Sequence, residues 1–214
     1  MNRLGKQTVI LKNLPRIVET ASVAGQKEND GKFSGYFDYV LDDGRFGEKS
    51  WEKAESKMQK KAVEILLKKA DKNKCDIDLI AGGDLLNQCM GTSFGLADFN
   101  IPFLGLYGAC STMAESLCIA SMTVDGEYSK NTIAVTSSHF CSSERQFRFP
   151  LEYGGQRTPT SQWTVTGSGA ALVSDEGSDI AITHITPGKI VDMGIKDANN
   201  MGAAMAPVSV KLTP

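Results

Sequence analysis

Residues 102–129 read PFLGLYGACSTMAESLCIASMTVDGEYS. The apolar run at 103–107 predicts a short buried strand. Gly108-Ala109 then predicts a tight turn, which glycine permits because it has no Cβ to clash. A helix is expected to open at Cys110, with Ser111 and Thr112 offering hydroxyls to the free amides of its first turn. Met113, Ala114, Leu117, Cys118, Ile119, Ala120 and Met122 make this helix apolar on nearly every side. That pattern belongs to a helix held between two layers. Cys110 stands where a strand–turn–helix places a nucleophile beside unpaired amides and the positive end of a helix dipole. Plain packing is the alternative, because free cysteine usually behaves as a small buried hydrophobe.

Around this segment, composition sets bounds. With 214 residues and 41% hydrophobic content, the chain makes one globular domain or a little more. A net charge of −2 and a pI near 5.8 give no electrostatic case for nucleic acid. No apolar run is long enough to cross a bilayer, and the opening MNRLGKQT lacks the apolar core of a secretion signal, so cytosolic synthesis is expected. Five cysteines (75, 89, 110, 118, 141) contain no CxxC, and the histidines are His139 and His184. Neither a disulfide framework nor a structural metal site follows from that set.

Taken in order, residues 8–12 and 17–23 predict strands. Residues 25–47 form a long Gly-, Asp- and aromatic-rich connection, read as a loop that packs through its aromatic residues, with a lid as the alternative. Ser50 caps a helix expected to run to about 70, with Trp51, Ala54, Met58, Ala62, Ile65 and Leu66 on one face. The lysines between them read as the wet face, and a membrane-surface role is diluted by Glu52, Glu55, Glu64 and Asp71. Residues 76–82 predict a buried strand, followed by GDLLNQ (83–88) and a second helix to about 99. Residues 131–137, 163–174 and 179–195 predict further strands. GSG at 167–169 lies inside a strand and opens no helix, so it marks close backbone approach rather than a dinucleotide cofactor.

Strands alternating with helices argue for an α/β fold with a largely parallel sheet. Ligands of such sheets collect beyond the carboxyl ends of the strands. Asp84, Cys110 and His139 each follow such an end, with Asn87 in the turn after Asp84. The segment 141–162 interrupts the pattern and holds Arg145, Arg148 and Arg157. An exposed loop is the ordinary reading; arginines facing a carboxylate ligand are the other.

IAGGDLLNQ (80–88), GLYGACSTMAESLCIASM (105–122), AVTSSH (134–139) and TVTGSGAALVS (164–174) resemble the thiolase-like superfamily. Within it the closest likeness is to a sporulation branch of spore-forming Firmicutes, carried also by ERQFRFPLEYGGQ (144–156) and MGAAMAP (201–207). The likeness runs from about residue 5 to 207. It implies an α/β thiolase-like fold, a mostly parallel mixed sheet with a buried central helix. Residues 1–214 would form the first of two similar halves, the second lying outside this chain. The activating histidine of catalytic relatives belongs to that other half, and neither His139 nor His184 matches the catalytic motif.

The resemblance further implies a non-enzymatic role: binding dipicolinate (pyridine-2,6-dicarboxylate) and serving its uptake into the developing spore, without a cofactor. The protein would be peripheral on the forespore inner membrane, beside membrane proteins of the same operon. A homodimer is expected, since relatives pair through their first halves. By position, Cys110, Ser111, His139, Asp84, Asn87 and Arg145 are the candidate ligand residues. Asp84 would need a cation such as calcium, or a proton, beside a dianion. The enzyme alternative is an acyltransferase with Cys110 as acyl acceptor.

Overall fold

The computed structural model describes residues 3–87, 89–147, 164–196 and 203, the side chains of 144–147 excepted. Its centre is a six-stranded sheet. β3 (Arg16–Ala24) lies between β4 (Tyr39–Val40) and β8 (Gly167–Ser174); β7 (Asn131–Ser138) follows, then β5 (Leu79–Gly83) and β6 (Phe103–Gly105) at the edge. The β3–β4, β5–β6 and β5–β7 ladders are parallel, and β8 runs antiparallel to both its neighbours. A small antiparallel sheet of β1 (Arg3–Leu4), β2 (Thr8–Ile10) and β9 (His184–Ile185) sits beside it.

Alternation along the strands divides the core into two layers, because successive side chains face opposite sides of a sheet. Ile133 and Val135 join Leu172 and Ala170 against α2 (Trp51–Lys69), whose Met58, Ala62, Val63 and Leu66 are fully buried. Ala134 and Val173 face the other way, onto Ala120 and Val124 of α4 (Thr112–Asp125). α2 starts as its sequence requires: Ser50 is extended and its hydroxyl accepts the Lys53 amide at 3.3 Å. Its outer lysines are spent locally, Lys57 on Glu48, Lys60 on Asp98, and Lys69 on Asp38 and Glu19.

The 25–47 connection packs as expected through Tyr39 and Phe46, and Leu41 is buried, while Phe33 and Tyr36 stay exposed. It also contains the one-turn helix α1 (Gln26–Asn29). α3 (Met90–Leu96) continues as a 3-10 turn to Phe99, close to the length read from sequence. Two expectations change. Of 179–195, only His184–Ile185 is strand, since Pro187, Gly188 and Gly194 interrupt any ladder. And α4 is covered on one face only among the described residues. Thr112, Ser116, Ala120 and Val124 lie inward, whereas Ala114 and Met122 are exposed and Cys118 is half-buried. The inward hydroxyls tolerate this because Ser116 and Ser121 donate to carbonyls one turn back, at 2.7 Å each.

Candidate functional site

β5, β6 and β7 are parallel, so their carboxyl ends open on one edge of the sheet. Past β6 the chain makes a 3-10 turn, Ala109–Ser111, before α4 begins. Ala109 sits in the left-handed region at φ 49°, a conformation that costs a non-glycine residue about 1 kcal/mol. Ser111 Oγ donates to Gly108 O at 2.7 Å, and Thr112 Oγ1 donates to Ala109 O at 2.8 Å while accepting Gly108 N at 3.2 Å. These bonds fix the turn and leave Cys110 and Ser111 exposed at the helix start. The cap read from sequence is thus reversed in direction: the hydroxyls hold the turn and do not accept the first-turn amides.

Asp84 and His139 reach the same edge but are committed inward. Asp84 is 1% exposed. Its Oδ1 accepts Leu86 N at 2.8 Å, and its Oδ2 accepts Thr92 N at 2.7 Å and Thr92 Oγ1 at 2.5 Å. This carboxylate organises the turn into α3. His139 is 2% exposed, with its ring 5.2 Å from that of Trp51. Its Nε2 lies 2.6 Å from Gly44 O, and its Nδ1 accepts Cys141 N at 3.1 Å. A carbonyl can only accept, so Nε2 carries the proton and the ring is neutral. Burial holds its pKa below the ordinary histidine value, against the opposing pull of the Gly44 carbonyl and the Glu28 charge.

The structure therefore does not join His139 to Cys110 as base to nucleophile, since both ring nitrogens serve the backbone. Asn87 is exposed in the turn after Asp84. Arg145 stands on α5 (Phe140–Phe147), but its side chain, like Arg148 and Arg157, lies outside the described residues. A cavity of about 300 Å³ lies at the opposite end of β7, lined by Lys72, Lys130, Ser174 and Glu176 among others, none of them a candidate ligand residue.

Sequence reasoning missed Glu55 and Gln59. Both are fully buried on α2, under the carboxyl ends of β5 and β7. Gln59 Nε2 donates to Gly83 O and Thr92 Oγ1, each at 3.2 Å, and its Oε1 has no partner among the described residues. Glu55 takes Ser137 and Ser142. The signal was present: four residues apart, they fall on the stripe that also carries Trp51, Met58 and Ala62.

Comparison with known proteins places this geometry. The fold resembles the priming β-ketosynthase of the R1128 polyketide pathway, at TM-score 0.51 and 16% identity over 82% of this chain and 54% of that one. It also resembles 3-oxoacyl-[acyl-carrier-protein] synthase III from Aquifex aeolicus VF5, at TM-score 0.50 and 14% identity over 75% and 53%. These likenesses establish a thiolase-like α/β fold. In sequence, the chain is 44% identical over 209 residues to stage V sporulation protein AD of Bacillus subtilis (strain 168), covering 98% of this chain and 62% of that protein. The chain thus spans less than two thirds of that relative. The model of the stage V sporulation protein AD family matches residues 5–213, and the chain belongs to that family of sporulation proteins.

Proposed function

We propose that this chain is the first half of a dipicolinate-binding protein that serves uptake of this dianion into the developing spore, using a thiolase scaffold without its chemistry. The family match along nearly the whole chain carries the reading. Dipicolinate is planar and doubly charged, and needs amide donors and positive potential. Cys110 and Ser111 present the start of α4 to solvent, with Asn87 on the same edge and Arg145 on α5. Asp84 and His139 support this edge from beneath; any calcium accompanying the ligand would be held through Asn87 and the ligand itself rather than through Asp84, whose oxygens are spent. The commitment of both His139 nitrogens means that acyl transfer through Cys110 would need its base from outside the described residues.

Isothermal titration with dipicolinate, with and without calcium, tests this. Cys110→Ala is expected to weaken binding about tenfold by disturbing the helix start. Unchanged affinity in both Cys110→Ala and His139→Ala removes the pocket. Incubation with acetyl-CoA is expected to leave Cys110 unacylated by mass spectrometry; a stable acyl adduct there would favour the acyltransferase.

The same proposal extends to partners. The outer face of α4, with Ala114 and Met122 exposed and Cys118 half-buried, would be covered by a second thiolase-like half. β6, the sheet edge among the described residues, carries Leu104 (46% exposed) and is followed by Tyr107 (49%), and it would carry a homodimer. Among the described residues no helix is long and apolar enough to cross a membrane, so docking on the forespore inner membrane would run through membrane proteins of the same operon. In solution the chain is expected to bind an apolar dye and to sediment as a dimer. A monomer that binds no dye contradicts both statements.

A further inference from the structure

Glu55 is 0% exposed where α2 meets the carboxyl ends of β5 and β7. Ser137 Oγ donates to its Oε1 at 3.1 Å, and Ser142 Oγ lies 2.7 Å from its Oε2. One side chain thereby joins the end of β7 to the first turn of α5, on either side of His139. Among the described side chains no cation pairs with it. The charge acting on it is that of the Asp84 carboxylate; Glu52 precedes it by one turn on α2, and His139 and Cys141 fall between its two serine partners in sequence.

Both protonation states can satisfy the serines, since His139 O already accepts Ser143 N at 2.9 Å, and the dry setting distinguishes them. Ser142 has one hydroxyl hydrogen but lies within reach of two acceptors, Glu55 Oε2 and His139 O at 3.1 Å. A neutral Glu55 donates its own proton to Ser142 Oγ, and Ser142 then donates to His139 O. An ionised Glu55 must take the serine proton for itself, and it places a second negative charge near Asp84 in a dry site.

We propose that Glu55 is a proton-gated latch: protonated, it ties Ser137 and Ser142 together and holds α5 on the sheet edge, and ionised, it lets the β7–α5 turn open. Burial, and then the Asp84 charge, push its pKa up to about 7 against the pull of its two serine donors. The sign follows from linkage. A carboxyl whose folded pKa exceeds its unfolded value of 4.5 stabilises the closed form fully below 4.5. That stability is lost as pH rises toward 7, and the loss is complete above it. The consequence reaches the candidate site, because α5 carries Arg145.

Hydrogen exchange of the Cys141 and Ser143 amides, corrected for intrinsic base catalysis, reads the latch directly. From pH 5 to pH 7 the opening constant of the native chain is expected to rise about fortyfold relative to Glu55→Gln, which lacks that rise. The same rise in Glu55→Gln would overturn the latch; His139, whose pKa burial lowers, would give the opposite trend, with opening favoured as pH falls. Should Glu55→Gln fail to fold, the carboxyl carbon of Glu55, followed by NMR in the native chain, decides the matter. A midpoint near 7 supports the latch, and one near 4.5 overturns it.

Discussion

Replacing Gly83 with alanine is expected to lower the unfolding free energy by at least ~3 kcal/mol, the upper range for overpacking in a close-packed interior. A Cβ there would lie 2.0 Å from Leu106 O and 2.9 Å from Thr112 Cγ2. Neither neighbour can yield cheaply. Leu106 N donates to Gly82 O at 2.8 Å, and Thr112 is held by its two bonds to the Gly108-Ala109 turn. The strand cannot retreat either, because Gly83 O accepts Thr136 Oγ1 at 3.0 Å and Gln59 from the other side. Gly169→Ala is the control: no described residue lies within 4 Å of its Cβ position, and a change below about 1 kcal/mol is expected. Denaturant midpoints of the two variants decide it. A Gly83→Ala protein as stable as the control would show that the turn presenting Cys110 is soft.

Asp84→Ala is expected to be nearly as damaging, about 3 kcal/mol. It orphans the Leu86 and Thr92 amides and the Thr92 hydroxyl in a buried turn, and an unmade buried hydrogen bond costs roughly 1–3 kcal/mol. Part of the loss returns elsewhere, since the Asp84 charge disfavours ionisation of Glu55. Asp84→Asn keeps the shape and removes that charge, so Glu55 should titrate at lower pH in this variant than in the native chain. A loss under 1 kcal/mol for Asp84→Ala, measured by chemical denaturation, would mean that water replaces the carboxylate. Asp84 would then be available to a ligand after all.

Much of this architecture was legible in the residues. The Ser50 cap with the Met58–Ala62–Leu66 stripe marks α2, and the apolar runs at 79–83 and 131–138 mark the parallel strands that bring three loops to one edge. What the linear pattern did not convey was direction. Asp84 and His139 follow strand ends, as a ligand site requires, but their side chains turn toward α3 and α2, where backbone groups occupy them. A position beyond a strand fixes where the backbone arrives and leaves the side chain's face open. Glu55 was hidden differently: charge argued for solvent, and only the facing Ser137 and Ser142, more than eighty positions away, make an interior carboxyl tolerable. For α4, apolar composition argued for two covering layers, while the described residues provide one.

β8 lies between β3 and β7, and Ala170 pairs with Ala21 from the start of the chain. On the ribosome, β3 therefore emerges long before β8 and has only its short β4 ladder while everything between is made, at roughly 5–20 residues per second. Pairings this distant in sequence also slow the search for the native state. Nascent chains of this protein are thus exposed for many seconds with one edge of β3 bare, and a chaperone that shields residues 16–24 would raise the yield of folded product.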